Sequence, residues 1–163
     1  MDTDLVLTYS VYEDCPVITR SARLVQKGDQ KIRLENVMSA AVEFPDMDYE
    51  MIHLSGAWAR ERYVKTRKLE MGIQAVQSLA GTGSSSEQNP FIALKRPHTT
   101  EDTGEVFGFS FVYSGNFLAQ VEVSTYEMTR VMMGINPQGF SWELSRDEEF
   151  QTPEVVMVYS DKA

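Results

Sequence analysis

The chain has 163 residues, 42% of them hydrophobic and 24% charged, and its 24 acidic against 15 basic side chains give a net charge of −9 at pH 7. That length suits one domain, 1–163, with a substantial core. The acidic balance excludes nucleic acid as a partner, because such binding rests on Lys and Arg neutralising phosphates. No apolar run reaches the length of a membrane span and no basic-then-apolar leader opens the chain, so no membrane partner is expected.

Residues 1–4 read as a polar leader, and the first apolar strand begins almost at once, as in a piece cut from a longer chain. Residues 5–12, 17–25 and 32–42 alternate or carry β-branched side chains, with Gly28-Asp29 as a turn between the last two. Pro45-Asp46-Met47-Asp48 is a loop, and 49–57 and 58–69 are two further extended pieces. Residues 73–79 fit strand and short helix equally poorly, and 81–89 (GTGSSSEQN) form a loop that is flexible by composition. Strands follow at 91–94, 105–113, 117–123, 129–135 and 149–159, with a loop at 97–103. The densest alternation, through 104–142, breaks at Ser114-Gly115-Asn116, which predicts a β-hairpin whose Gly-Asn pair supplies the positive φ of a tight turn. About ten short strands with little helix make the chain all-β, an antiparallel β-sandwich.

The chemistry is sparse. Cys15 stands alone, so there is no internal disulfide and no cysteine-based zinc site; it reads as a small apolar filler beside Pro16, and the pattern suits a reducing, cytoplasmic compartment. His53 and His98 are isolated, so no metal is expected; His53 reads as a core or rim histidine beside Met51 and Leu54. No cofactor motif is present either: Gly81-Thr82-Gly83-Ser84 lacks the Gly-Lys-Ser/Thr of a phosphate loop. Glycosidases need two carboxylates across the scissile bond, about 5–5.5 Å apart when they retain configuration. The acidic pairs here (Glu13-Asp14, Asp46 with Asp48, Glu101-Asp102, Asp147 to Glu149) sit in predicted turns, where solvation opposes the raised pKa of an acid catalyst. One basic segment, Arg60, Arg62, Lys65, Arg67 and Lys68, reads as a solvated strand face, with docking onto an acidic partner as its alternative. Trp58 and Trp142 are expected in the core or under another domain; an exposed platform for a sugar ring is the competing possibility.

Several long words in the chain go further. LSGAWARER (54–62), Asn89-Pro90-Phe91, Tyr113-Ser114-Gly115-Asn116, Gly134-Ile135-Asn136-Pro137 and FQTPEVVMVYSD (150–161) resemble the N-terminal β-supersandwich region of microbial α-galactosidases of glycoside hydrolase family 36. The resemblance runs from YSVYEDCPVITRSAR (9–23) to Asp161, and the family pattern extends before residue 1. It implies a non-catalytic part of an enzyme that removes terminal α-galactose from melibiose, raffinose and stachyose with retention. In that family the catalytic aspartates lie in a (β/α)8 barrel, the nucleophile within a Lys-Trp-Asp motif, and no such motif occurs here. No catalytic residue is therefore carried over. The implied partners are the enzyme's own barrel and further copies of itself, with galacto-oligosaccharide reached only through the barrel. Trp58, Arg60, Arg62, Asn89, Asn116 and Trp142 are the residues for binding or domain docking.

Two departures stand out. Ser84-Ser85-Ser86-Glu87-Gln88 lacks the histidine common near Ser86, and Ser145-Arg146-Asp147-Glu148 lacks the positive-φ glycine of a Pro-Gly-Glu turn, so that turn is expected to be built differently. Away from its barrel the chain is expected to expose an apolar docking patch, lined by Met132-Met133 and Met47 to Met51, and to self-associate. Two rival readings are a stand-alone carbohydrate-binding module and an independent hydrolase.

Overall fold

In the computed structural model residues 2–81 and 84–162 are described, with the side chains of 84 and 85 excepted. Thr82 and Gly83 of the expected flexible loop, and Met1 of the polar leader, lie outside these residues. Among the described residues the chain forms β1 (Thr3–Val11), β2 (Val17–Gln26), β3 (Ile32–Leu34), β4 (Met38–Phe44), β5 (Glu50–Ala57), β6 (Arg60–Lys68), β7 (Gly72–Ser78), a single helical turn α1 (Ser84–Glu87), β8 (Gln88–Lys95), β9 (Val106–Phe111), β10 (Phe117–Val123), β11 (Thr129–Ile135), β12 (Trp142–Leu144), β13 (Glu149–Gln151) and β14 (Val155–Ser160). The larger sheet runs β1-β2-β14-β9-β8-β5-β6, with β13 also paired to β2. A second sheet runs β4-β11-β10-β7, and β12 pairs with β3 alone. The strand pairs are antiparallel, as expected for an all-β sandwich.

Alternation builds the interior. On β10, Phe117, Ala119, Val121 and Val123 are buried while the residues between them are only half covered. Val131, Met133 and Ile135 of β11 join them, and Met51, Ile92, Leu94, Phe109, Phe111 and Val155 answer from the larger sheet. Side chains of the two inner faces fill a layer about 10 Å thick. A smaller cluster of Ile32, Leu34, Val37 and Leu144 seals the β3–β12 corner.

Several expected elements are built otherwise. The break at Ser114-Gly115-Asn116 is not a hairpin: β9 pairs with β8 and β14, whereas β10 pairs with β7 and β11. Phe109 and Phe111 belong to the same core cluster as Phe117 and Ala119 but to the other sheet, so the segment between them arches from one sheet to the other. Gly115 has no positive φ; it is small because a Cβ there would lie 2.6–2.7 Å from the ring of Tyr113. The span 32–42 splits into β3 and β4, which enter different sheets, so the Gly28-Asp29 turn joins strands that do not pair. The span 149–159 splits at Thr152-Pro153-Glu154, where proline has no N–H to give. Thr152 holds the gap closed: its amide donates to Ala22 O at 2.8 Å and its Oγ1 accepts from Ala22 N at 2.9 Å. The ambiguous segment 73–79 is strand β7, and part of the expected loop is α1. In the Ser145–Glu148 turn the positive φ survives without glycine, since Asp147 adopts φ 63°, a region that Asp tolerates better than most residues.

The two sheets are tied at one end by Arg96. Its guanidinium donates to Asp46 Oδ1 and Oδ2 (2.6 and 3.2 Å), to Asp48 O (3.1 Å) and to Glu105 Oε2 (2.9 Å). It also lies 3.9 Å from the centre of the Tyr49 ring, and that ring packs edge-on against Phe44 and Phe107. The Arg96 hydrogen bond holds the Asp46 carboxyl below its ordinary value of 3.8. Its stabilising effect is therefore complete above that value and is lost as pH falls through the lower folded one. Denaturant titrations should show a stability loss below about pH 4 that shrinks in Asp46→Asn. In the core, Phe117→Ala should cost about 3–5 kcal/mol, read from the same unfolding curves at neutral pH.

Candidate functional site

The second sheet covers only the middle of the larger one, so both flanks of the larger sheet stand free. At one flank, β1 is exposed on both faces. Leu5, Leu7, Tyr9 and Val11 alternate onto its inner face, with Leu5 61% and Val11 74% exposed. They continue into an apolar groove of 550 Å³ bordered by Ile18, Val42, Phe107 and Met157. The methionines expected to line such a patch do not border this groove. Met51 and Met133 are fully buried between the sheets and Met47, in the loop after β4, packs against the same core, whereas Met132 is half-buried on the opposite face of β11.

At the other flank the β5–β6 hairpin projects, with every residue of β6 exposed. Its turn is Trp58-Ala59, so β6 begins at Arg60 and not at Trp58. Trp58 is 87% exposed, which takes it out of the core. Ala59 and Arg62 both hold positive φ, each near 63°, at a cost on the order of 1–2 kcal/mol per residue. Gly56 is required beside them, because a Cβ there would collide with the carbonyl of Arg60 and press on Glu61 Cα at 2.8 Å. Glu61 Oε1 accepts from Ala59 N at 2.9 Å and closes the turn. The five cations of β6 form no ion pair among the described residues. Lys65 and Arg67 lie on one face of the strand, across from His53 and Met51, and Lys68 lies on the other, across from Glu50. A shallow hollow of 300 Å³ lies between Ser55, Arg60, Tyr63, Lys65 and Gln88.

The remaining candidates scatter. Asn89 is buried on β8, one residue beyond the pairing of Ser55 with Gln88. Asn116 is a bracket rather than an open surface: its Oδ1 accepts from Gly81 N at 2.8 Å and its carbonyl from Asn136 N at 3.0 Å. Trp142 belongs to the β3–β12 corner, 49% exposed, with its ring 5.4 Å from Phe150. Within the acidic pairs, the Arg96 hydrogen bond holds the Asp46 carboxyl below its ordinary value, the reverse of what a proton donor needs. Among the described residues no group of three or more His, Cys, Asp or Glu could hold a metal. His98 is exposed, and Cys15 is exposed at the rim of the apolar groove, not buried as expected. The sequence reading missed two clusters: the Arg96–Asp46–Tyr49 clamp and the contact of His53 with Arg67.

Residues 1–145 match the glycosyl hydrolase family 36 N-terminal domain. The chain belongs to that family. Alpha-galactosidase AgaA of Geobacillus stearothermophilus is 55% identical over 159 residues, which are 98% of this chain and 22% of that protein. Alpha-galactosidase Mel36A of Lactobacillus acidophilus is 44% identical over 96% of this chain and 21% of its own length. The fold agrees with that of crystalline AgaA at a TM-score of 0.96, with 53% identity, over 99% of this chain and 22% of that one. Variants of AgaA have been crystallised with stachyose and with raffinose. The chain thus spans about a fifth of the length of these relatives, corresponding to a β-sandwich that adjoins other regions in each.

The hairpin turn carries a direct check. Gly56→Ala should destabilise the protein by about 1–3 kcal/mol through overpacking against backbone. Ala59→Gly should raise stability by up to about 1 kcal/mol by relieving its positive φ. Paired urea unfolding curves, with Trp58 fluorescence as the probe, measure both.

Proposed function

We propose that this chain is the non-catalytic sandwich of an α-galactosidase that removes terminal α-galactosyl residues from melibiose- and raffinose-type oligosaccharides. The observation that carries the reading is the near-complete match of this chain to one fifth of enzymes named as α-galactosidases. Catalysis belongs to a (β/α)8 barrel elsewhere in the enzyme, and 1–163 acts as one structural domain that supports it. Two features support a scaffolding role. The apolar flank of β1, with its groove, offers a surface whose burial on a neighbouring domain would be favourable. The β5–β6 hairpin keeps backbone strain at Ala59 and Arg62, and the cations Arg60 and Arg62 without an ion pair among the described residues, at a projecting tip. Trp58, Arg60 and Arg62 are assigned to contacts with another subunit, and the β1 flank to the barrel domain. The single unpaired cysteine fits a cytoplasmic setting.

A second reading, a carbohydrate-binding module, is favoured by the exposure of Trp58 alone. The two separate in a single set of measurements. The purified chain should show no turnover of an aryl α-galactoside, no affinity for raffinose by calorimetry, and self-association on a sizing column. Activity should appear when the barrel region of a family member is supplied as a second polypeptide, with the sandwich held in the complex. Raffinose binding abolished by Trp58→Ala would move the module reading ahead. A monodisperse monomer that does not engage the barrel polypeptide would remove the scaffold.

A further inference from the structure

The β5–β6 hairpin is rooted on a histidine with unusual company. His53 lies on the inner face of β5, 5% exposed, yet its neighbours across the strand gap are cations. Lys65 is its cross-strand partner, and Arg67 Nη2 lies 2.7 Å from His53 Nε2. An arginine can only donate, so Nε2 accepts and the ring proton resides on Nδ1. Nδ1 is buried and has no partner among the described residues. The charged and titratable groups on the packed elements are few. β6 brings Tyr63, Lys65 and Arg67 to this face, and β8 places Ile92 beside the ring. Glu50 of β5 alternates to the opposite face, where it pairs with Lys95 of β8 at 2.6 Å. Glu87 of α1 is exposed. Burial first, then the charges of Arg67 and Lys65, hold His53 below the ordinary histidine value; no carboxylate offsets them.

We propose that His53 is a proton-operated latch at the root of the hairpin. Neutral, it accepts the Arg67 hydrogen bond and helps hold β6 against β5. Protonated, it can no longer accept, and it becomes a third cation beside Lys65 and Arg67, which frees the β6 edge and the Trp58 turn. The neutral form belongs to the fold, so the contact's stabilising effect is complete above the unfolded histidine value of 6.5 and is lost as pH falls through the lower folded value. This inference does not rest on the role assigned to the hairpin above.

The test is a proton NMR titration of the 163-residue chain, whose two imidazoles are those of His53 and His98. His98→Gln assigns the signals. The His53 midpoint should lie below the ordinary histidine value of 6.5, and the amides of residues 60–68 should shift and lose exchange protection with the same midpoint. The loss should be about tenfold for each unit by which the folded value is lowered. Arg67→Gln and Lys65→Gln, both at exposed positions, should each raise the His53 midpoint, and His53→Gln should abolish the coupled change in β6. A His53 midpoint at or above 6.5, or β6 amides indifferent to it, overturns the latch. Should His53→Gln fail to fold, the shift caused by Arg67→Gln decides the matter by itself.

Discussion

A mismatch in width between the two sheets governs most of this molecule. Four strands pack onto a sheet of seven main strands, so one interior layer can exist only where they overlap. Within the overlap every inward side chain meets a counterpart, and residues such as Phe117, Leu94 and Met51 lose all contact with solvent. Beyond it the same strand chemistry has nothing to pack against. β1 keeps its alternating apolar row and β6 its cations, one at each margin of the larger sheet. The exposed features of the protein are thus by-products of one geometric fact, and they differ in kind: one margin is greasy, the other charged.

Where the sheets do overlap, they are joined by chain segments that pass between them, and these are where polar chemistry concentrates. The 45–49 segment carries the chain from β4 to β5, and Arg96 gathers it to the ends of β8 and β9 through carboxylates, a carbonyl and the face of Tyr49. A guanidinium suits that junction because its planar fork can satisfy several acceptors while its face rests on an aromatic ring. At the 112–116 arch, the side-chain carbonyl of Asn116 does comparable work by taking the amide of Gly81. These residues hold the crossings in place.

Much of the architecture was legible in the pattern of alternation, and the limits of that pattern are instructive. The odd-numbered residues of β10 announce an inward face, and the structure places them there. Alternation, however, reports which face is buried and not which strand lies alongside. The 104–123 stretch therefore read as a hairpin, although its halves face each other across the core. Short interruptions were equally hard to see: Glu35–Val37 and Thr152–Glu154 redirect strands without the Gly-rich signal of a turn. For the candidate residues, the cationic strand was plain from composition. The contact of His53 with Arg67 was not, because it depends on the register of the hairpin. The close passage of Gly56 under Arg60 introduces a register shift that no spacing rule supplies. Asn116 belongs to a recognisable word, yet its polar groups serve the backbone.

One feature of the larger sheet bears on how the protein is made. β14, the last of the described strands in chain order, lies between β2 and β9 and bridges them by two antiparallel ladders. Until residues 155–160 emerge, the N-terminal hairpin and the β8–β9 block share no backbone hydrogen bonds, and two unpaired edges face one another. Such distant pairing slows folding, because loop closure precedes any contact that rewards it. The nascent chain must carry both edges open until then, a period when chaperone capture competes with aggregation. Translation of residues 155–160 thus becomes the step at which two half-sheets turn into one.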